Sequence, residues 1–379
     1  MTRYDRQTVF SGVDPENQFP VPAWYQNVVD ARRGTVNRPT FRAATAGLKE
    51  ATRTKAAYWD DEFEEWVPAE GHVAVIDPDR KGATEAAWNF ARNYEPVTPK
   101  EAYDPLSDVL EDRDINAFFG SVREYRGGGE AHAEILFNVF RVNDPKQKGP
   151  AEPYVLGIQT GFDHFGETRV YAEAIAYNTR TGAKMHGITK PKRRKHVGSA
   201  PGDVAEWWET ILDRLDRVSR RIYQTIADAR AYEIDLSEHP EGATGFYEGL
   251  DVPPTYAESA GGLVRFQSLR TATAFDLYEA FVETLAEEYE GKEQSTTTKK
   301  YATIANRILF EPPRAEADTL RFHEERLAAS GQTTLSGGTS AEELASRRQT
   351  CEESVAVFQS NRARIANLLT EAEAEEAEA

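Results

Sequence analysis

Cysteine is nearly absent from this 379-residue chain, where Cys351 stands alone. One thiol excludes an internal disulfide framework and any zinc or iron–sulfur site built from cysteines. Lysine is scarce too: there are 13, outnumbered more than two to one by arginine, and methionine occurs only twice. No apolar run approaches the roughly 18 residues that mark a membrane span. The opening Met1-Thr2-Arg3-Tyr4-Asp5-Arg6-Gln7 lacks the apolar core of a secretion signal, so the expected compartment is the cytoplasm, with no membrane partner. Also missing are a Gly-rich loop ending in Lys-Ser/Thr, a helical His pair and a nucleophile elbow. No cofactor, metal or catalytic residue is therefore assigned, and the chain reads as a non-enzyme. No internal repeat is visible.

Acidic residues are abundant. Asp and Glu number 63 against 45 Lys and Arg, for a net charge of -18. With few Lys, one Cys and two Met, the composition resembles that of salt-adapted haloarchaeal proteins. Carboxylate-rich surfaces keep such proteins soluble where salt screens charge repulsion, so the net charge reads as habitat before partner. One segment runs against it. Lys190, Lys192, Arg193, Arg194, Lys195 and His196 fall within seven residues, and with Lys184 the stretch takes four of the 13 lysines. Such a cluster suits a phosphate backbone, which attracts cations without regard to base sequence. These seven side chains are the expected nucleic-acid contacts.

The length suggests about two to three domains, and a hydrophobic share of 40% permits a sizeable core. Residues 1–71 carry Trp24, Tyr25, Phe41, Tyr58, Trp59, Phe63 and Trp66, too many rings for a solvated tail, and read as an arm or small subdomain that packs on its own body or on a neighbouring subunit. Within it, Asp60–Trp66 reads as an acidic–aromatic turn or hairpin tip. His72–Ile76 reads as a strand, Thr84–Arg92 as a short helix and Pro99–Asp112 as an amphipathic helix. Strands follow over Ala117–Arg126, His132–Asn143, Pro153–Phe162, Arg169–Asn178 and Lys184–Thr189. Gly127-Gly128-Gly129 marks a hairpin between the first two, and the brief turns predict an antiparallel meander. The basic run reads as a loop leaving that meander. A helix over Val204–Tyr232 shows an apolar seam at Trp208, Ile211, Leu215, Val218 and Ile222. Pro240–Tyr256 reads as a connection, 268–290 as a helix, Gln294–Lys300 as a flexible loop, Tyr301–Phe310 as a helix stopped by Pro312-Pro313, and 314–340 as mostly polar. A last helix spans Ala341–Leu369 within a 314–369 extension. Residues 370–379 form an acidic tail expected to be disordered. The fold class is α+β, an antiparallel meander packed with long helices.

The order Gly157-Ile158-Gln159-Thr160-Gly161-Phe162-Asp163, then Thr168-Arg169-Val170-Tyr171, then Ala176-Tyr177-Asn178 resembles the central motif of the phage/plasmid-like family called domain of unknown function 932. Tyr94-Glu95-Pro96-Val97 and Arg270–Ala280 are similar to its entry and its late aromatic helix. The chain departs from the pattern at His164-Phe165-Gly166 and lacks the Cys before the Asn. The resemblance covers about residues 72–313, the central domain. It implies encoding on a virus, plasmid or integrated element, and supplies no catalytic residues.

Other candidates are weaker. Asp163, His164 and His186 are the best local cluster for a metal or for acid–base work. Tyr171, Tyr177 and Phe162 are stacking platforms only if they face outward. Arg214, Arg217, Arg220 and Arg221 alternate with Asp213 and Asp216 as ion-paired surface, and Lys299 with Lys300 offers a second phosphate contact. The expected function is non-enzymatic nucleic-acid binding, as single-strand binding or annealing with single-stranded DNA favoured, by a protein that forms homo-oligomers. An assembly protein gripping through the arm and basic loop, and a metal-dependent nuclease, are the alternatives.

Overall fold

The computed structural model describes residues 42, 45–77, 87–92, 98–115, 117–125, 129–142, 154–165, 170–178, 184–185, 187–194, 201–265, 270–288, 296–335 and 339–370. The protein is α+β. Strands β1 (Thr52–Asp60), β2 (Glu65–Ile76) and β3 (Ala87–Arg92) form a three-stranded antiparallel sheet. The expected hairpin tip is there: Asp60 Oδ1 accepts from the amides of Glu62 at 2.9 Å and Phe63 at 3.2 Å, and Glu64 takes a left-handed φ of 51°. The predicted helix over Thr84–Arg92 is wrong. Residues 87–92 are a strand laddered on His72–Ile76, because a partner strand outweighs the weak helical preference of three alanines. Residues 84–86 lie outside the described set.

Helix α1 (Pro99–Asp112) coincides with its predicted span, because Thr98 and Glu101 close a reciprocal capping box around Pro99. The main sheet contains β4 (Ala117–Tyr125), β5 (Glu130–Arg141), β6 (Tyr154–Asp163), β7 (Val170–Asn178), β8 (Lys184–Met185) and β9 (Lys192–Arg194). Its first four strands run in sequence order, the expected meander, and β8 and β9 both lie on the outer edge of β7. β8 is shorter than the predicted Lys184–Thr189, because Gly187 turns the chain at a φ of +62°. In the gap between β8 and β9, the Thr189 hydroxyl oxygen replaces a ladder carbonyl and accepts from Ala174 N at 3.1 Å.

Alternation gives the main sheet two unlike faces. Ala131, Ala133, Ile135 and Phe137 of β5, Leu156, Ile158 and Phe162 of β6, and Val170, Ala172, Ala174 and Ala176 of β7 share the apolar face, and all are buried. The small side chains on β7 leave room for α2 (Pro201–Ala231), a 31-residue helix across β5, β6 and β7. Its predicted seam is correct, and Trp208, Ile211, Leu215, Val218 and Ile222 are fully buried. Trp208 also donates from Nε1 to the Ala102 carbonyl of α1 at 2.8 Å.

The opposite side of α2 is covered by helices. In chain order these are α3 (Ala243–Gly249), α4 (Pro254–Arg265), α5 (Ala274–Glu288), α6 (Thr296–Phe310), α7 (Pro312–Ser330) and α8 (Ala341–Asn367), with α5, α6 and α8 touching α2 directly. Several boundaries differ from expectation. The 240–256 connection holds α3 and the start of α4. The helix expected over 268–290 begins only at Ala274. Before it, β11 (Thr271–Thr273) pairs with β10 (Glu233–Asp235), and Thr273 with Asp276 caps the helix. The loop expected at Gln294–Lys300 is helical from Thr296, and polar 314–340 contains most of α7. α7 escapes a periodicity search because its buried face includes Glu316, Thr319 and His323. No helix among the described residues is long and apolar enough to cross a membrane.

Trp208→Ala removes a fully buried indole and its hydrogen bond at the junction of α1, α2 and the sheet. The expected loss is about 3–5 kcal/mol of unfolding free energy, measured by denaturant titration, with no change in the denaturant slope.

Candidate nucleic-acid interface

The basic run is a strand where a loop was expected. Lys192, Arg193 and Arg194 pair with Ala172, Tyr171 and Val170 of β7. Pleating sends Lys192 and Arg194 to the helix-covered face and Arg193 to the other. Arg194 is drawn inward: it donates to the Asp203 carbonyl at 2.9 Å, its guanidinium is 3.9 Å from the Asp203 carboxylate, and 18% of the side chain is exposed. It therefore ties the strand to the first turn of α2. Lys190 and Arg193 are exposed, and neither is in an ion pair among the described residues. Lys190 also gives its backbone amide to the Ala366 carbonyl of α8 at 2.6 Å, which pins the start of the run. Lys184 lies in β8, paired in register with Tyr177. Lys195 and His196 lie outside the described residues. The structure thus places Lys190, Lys192 and Arg193 together along one sheet edge and gives Arg194 a structural partner.

Beneath Arg193 the sheet is polar. The pairings His132 with Gly161, Gly161 with Tyr171 and Tyr171 with Arg193 form one row across β5, β6, β7 and β9. The Tyr171 hydroxyl lies 2.8 Å from His132 Nδ1, and His132 Nε2 lies 2.7 Å from Glu130 Oε1. A carboxylate only accepts, so the neutral ring carries its proton on Nε2, and Nδ1 accepts from the Tyr171 hydroxyl. Burial raises the Tyr171 pKa, so the phenol stays protonated in that role. Gly161 makes the meeting possible, since a Cβ there would lie 2.5 Å from the Ala131 oxygen, 2.7 Å from His132 Nδ1 and 2.9 Å from the Tyr171 ring. On the same face the Tyr177 hydroxyl donates to Glu134 Oε2 at 2.5 Å. Sequence reasoning missed this row. Its only signals are a His in strand alternation and a glycine in the next strand, and neither reveals register.

The other candidates resolve as follows. Asp163 and His164 are buried, with the His164 ring 5.2 Å from that of Phe162. His186 lies outside the described residues, and no group of three His, Cys, Asp or Glu that could hold a metal occurs among those described. Tyr171, Tyr177 and Phe162 are buried and offer no stacking surface. Lys300 pairs with Asp251 at 2.5 Å; the Lys299 side chain lies outside the described set. Arg220 pairs with Asp216 at 2.5 Å as expected, but Arg214 is buried and donates to the Leu369 carbonyl at 2.9 Å.

A second titratable cluster lies between β10, α3 and α7. The His239 and His323 rings are 5.6 Å apart and buried, and among the described residues neither His239 nitrogen has a hydrogen-bond partner. Desolvation, then the neighbouring His323, pushes His239 down to about 3; desolvation pushes His323 down to about 4. Nearby, fully buried Glu316 accepts from the Tyr232 hydroxyl at 2.6 Å and from Arg347 Nε at 3.1 Å. Burial and the Glu316 charge raise the Cys351 thiol to about 12, so it is unreactive near neutrality.

Compared with known proteins, the chain matches no family model, no curated protein and no solved structure.

Gly161→Ala is expected to force the Tyr171 and His132 rings apart and cost about 1–3 kcal/mol, read as a lowered melting temperature. The buried histidines predict a pH effect. Their folded pKa values lie below the ordinary 6.5, so below that pH the unfolded chain binds more protons than the folded one. Stability is then present above about pH 6.5 and is lost as pH falls toward 4. His239→Leu with His323→Leu is expected to flatten the melting temperature between pH 6.5 and 4 relative to the parent.

Proposed function

We propose that the protein binds nucleic acid without transforming it, favours single strands, and acts in the cytoplasm as the product of a virus, plasmid or integrated element. The observation that carries this reading is the ordered edge strand itself. A chain of net charge -18 holds exposed Lys190 and Arg193, with Lys192 between them, along one line of backbone. A short line of cations suits a single phosphodiester backbone, which needs no element inserted into a duplex groove. The link to a mobile element rests on the resemblance to domain of unknown function 932 in residue order. A metal-dependent nuclease has no ligand cluster among the described residues to support it.

A second reading, self-assembly, has its own observation. Tyr58, Trp59, Phe63 and Trp66 on the β1–β2 hairpin are 46–68% exposed, and Trp59 and Trp66 meet edge to face at 5.6 Å. Asp60, Asp61, Glu62, Glu64 and Glu65 surround them. Such a patch repels phosphate, and its apolar area favours a protein partner.

Lys190→Gln, Lys192→Gln and Arg193→Gln together are expected to weaken single-stranded DNA binding at least tenfold. For three lost contacts, the slope of log K against log salt should fall in magnitude by about 2. Fluorescence anisotropy across a salt series measures both, and unchanged binding overturns the reading. Trp59→Ser with Trp66→Ser, assayed by mass photometry without nucleic acid, tests assembly: a parent oligomer that dissociates supports it, and a monomeric parent overturns it.

A further inference from the structure

We propose that residues 371–379 dock in cis on the basic edge strand and compete there with nucleic acid. The proposal rests on reading that strand as an anion-binding surface, and it adds an occupant encoded in the same chain. These residues lie outside the described set. Their sequence is Glu-Ala-Glu-Ala-Glu-Glu-Ala-Glu-Ala, with five carboxylates and no cation.

Their point of departure is fixed. Leu368 and Leu369 are buried, and Arg214 of α2 holds the Leu369 carbonyl at 2.9 Å. Three residues before Leu369, the Ala366 carbonyl accepts from the amide of Lys190 at 2.6 Å. The end of α8 therefore lies against the first residue of the basic run, and Thr370 follows three residues after Asn367, which shares a cleft with Lys190. A cleft of about 280 Å³ opens at that place, lined by Lys190, Glu311, Gln359, Arg362, Ala366 and Asn367. Within it, Glu311 is already engaged by Arg362 and by Arg314 at 3.2 Å, which leaves Lys190 as the charge with no ion pair among the described residues.

Reach and concentration favour contact in cis. Nine extended residues span up to about 30 Å, and the four steps from Lys190 to Arg194 cover about 13 Å. A tether this short gives an effective concentration of the order of millimolar, above any micromolar partner of similar charge. With alanine as the only apolar residue, the contact is electrostatic. It should weaken as the screening length falls from about 10 Å at 0.1 M salt to about 3 Å at 1 M.

The test uses the full chain at a dilution and salt where it is folded, treated with a water-soluble carbodiimide, which joins paired lysines and carboxylates without a spacer. Peptide mapping should show bonds from Lys190 or Lys192 to glutamates of 371–379, fading as salt rises. The pairs Lys49–Asp77 at 2.8 Å and Lys300–Asp251 at 2.5 Å are internal controls. Controls that join while the acidic segment joins no lysine, or only others, overturn the proposal. In the second arm, a chain stopped after Thr370 should bind single-stranded DNA about tenfold more tightly at low salt, as expected for a millimolar tether and an intrinsic affinity near 0.1 mM. With Lys190→Gln, Lys192→Gln and Arg193→Gln in place, the truncation should change nothing. Equal tightening in that background means general repulsion and overturns the competition. If no form binds nucleic acid, the function proposed above fails, and the cross-links alone decide the docking.

Discussion

The architecture hangs on the burial of one helix from two sides. α2 meets the apolar face of the main sheet and, on its other side, α5, α6 and α8. Each fully buried Ile or Leu along it contributes about 1.5–3 kcal/mol by removal from water, and only a narrow strip is left for Asp213, Asp216, Arg217 and Arg220. Two of the ties around the basic edge come from this helix. Asp203 in its first turn holds Arg194, and Arg214 near its middle holds the chain just after α8. The cations of β9 are therefore placed by a hydrophobic packing problem solved elsewhere.

How much of this is legible in the residues depends on whether the signal is local. α1, α2 and α8 follow closely from caps and seams, because Thr98 with Glu101 and Ser340 with Glu343 close capping boxes. The meander follows from alternation and short turns. What fails depends on distant partners. Ala87–Arg92 becomes a strand because β2 offers a ladder, and the basic run becomes a strand because β7 has a free edge. α3 hides in a Gly- and Pro-rich stretch, where Gly245 allows the backbone to pass so near Pro240 that a Cβ would lie 1.8 Å from its oxygen. At the candidate site, the clustering of lysines was visible in the sequence. The pairing of Arg194 with Asp203, and the row from His132 to Arg193, are matters of register and were not.

Three buried glutamates follow a similar rule. Glu134, Glu311 and Glu316 are nearly or fully removed from solvent, and each has a hydroxyl or guanidinium partner. A buried carboxylate without such partners would cost several kcal/mol. These groups blur hydrophobic patterning, which is why α7 reads as polar sequence. They also fix geometry, since Arg362 and Arg314 converge on Glu311 where α6 gives way to α7.

The bond from Arg214 to Leu369 spans 155 residues, and that from Lys190 to Ala366 spans more. Contacts of such sequence separation require closing very long loops, and folds that depend on them assemble slowly. During synthesis, the buried guanidinium of α2 and the first amide of the basic strand must wait for α8 to leave the ribosome. The meander and the β7–β9 ladder can form earlier, but the tie at Lys190 waits for one of the last-made segments described. The start of the basic run is thus among the last parts of the described surface to be tied down.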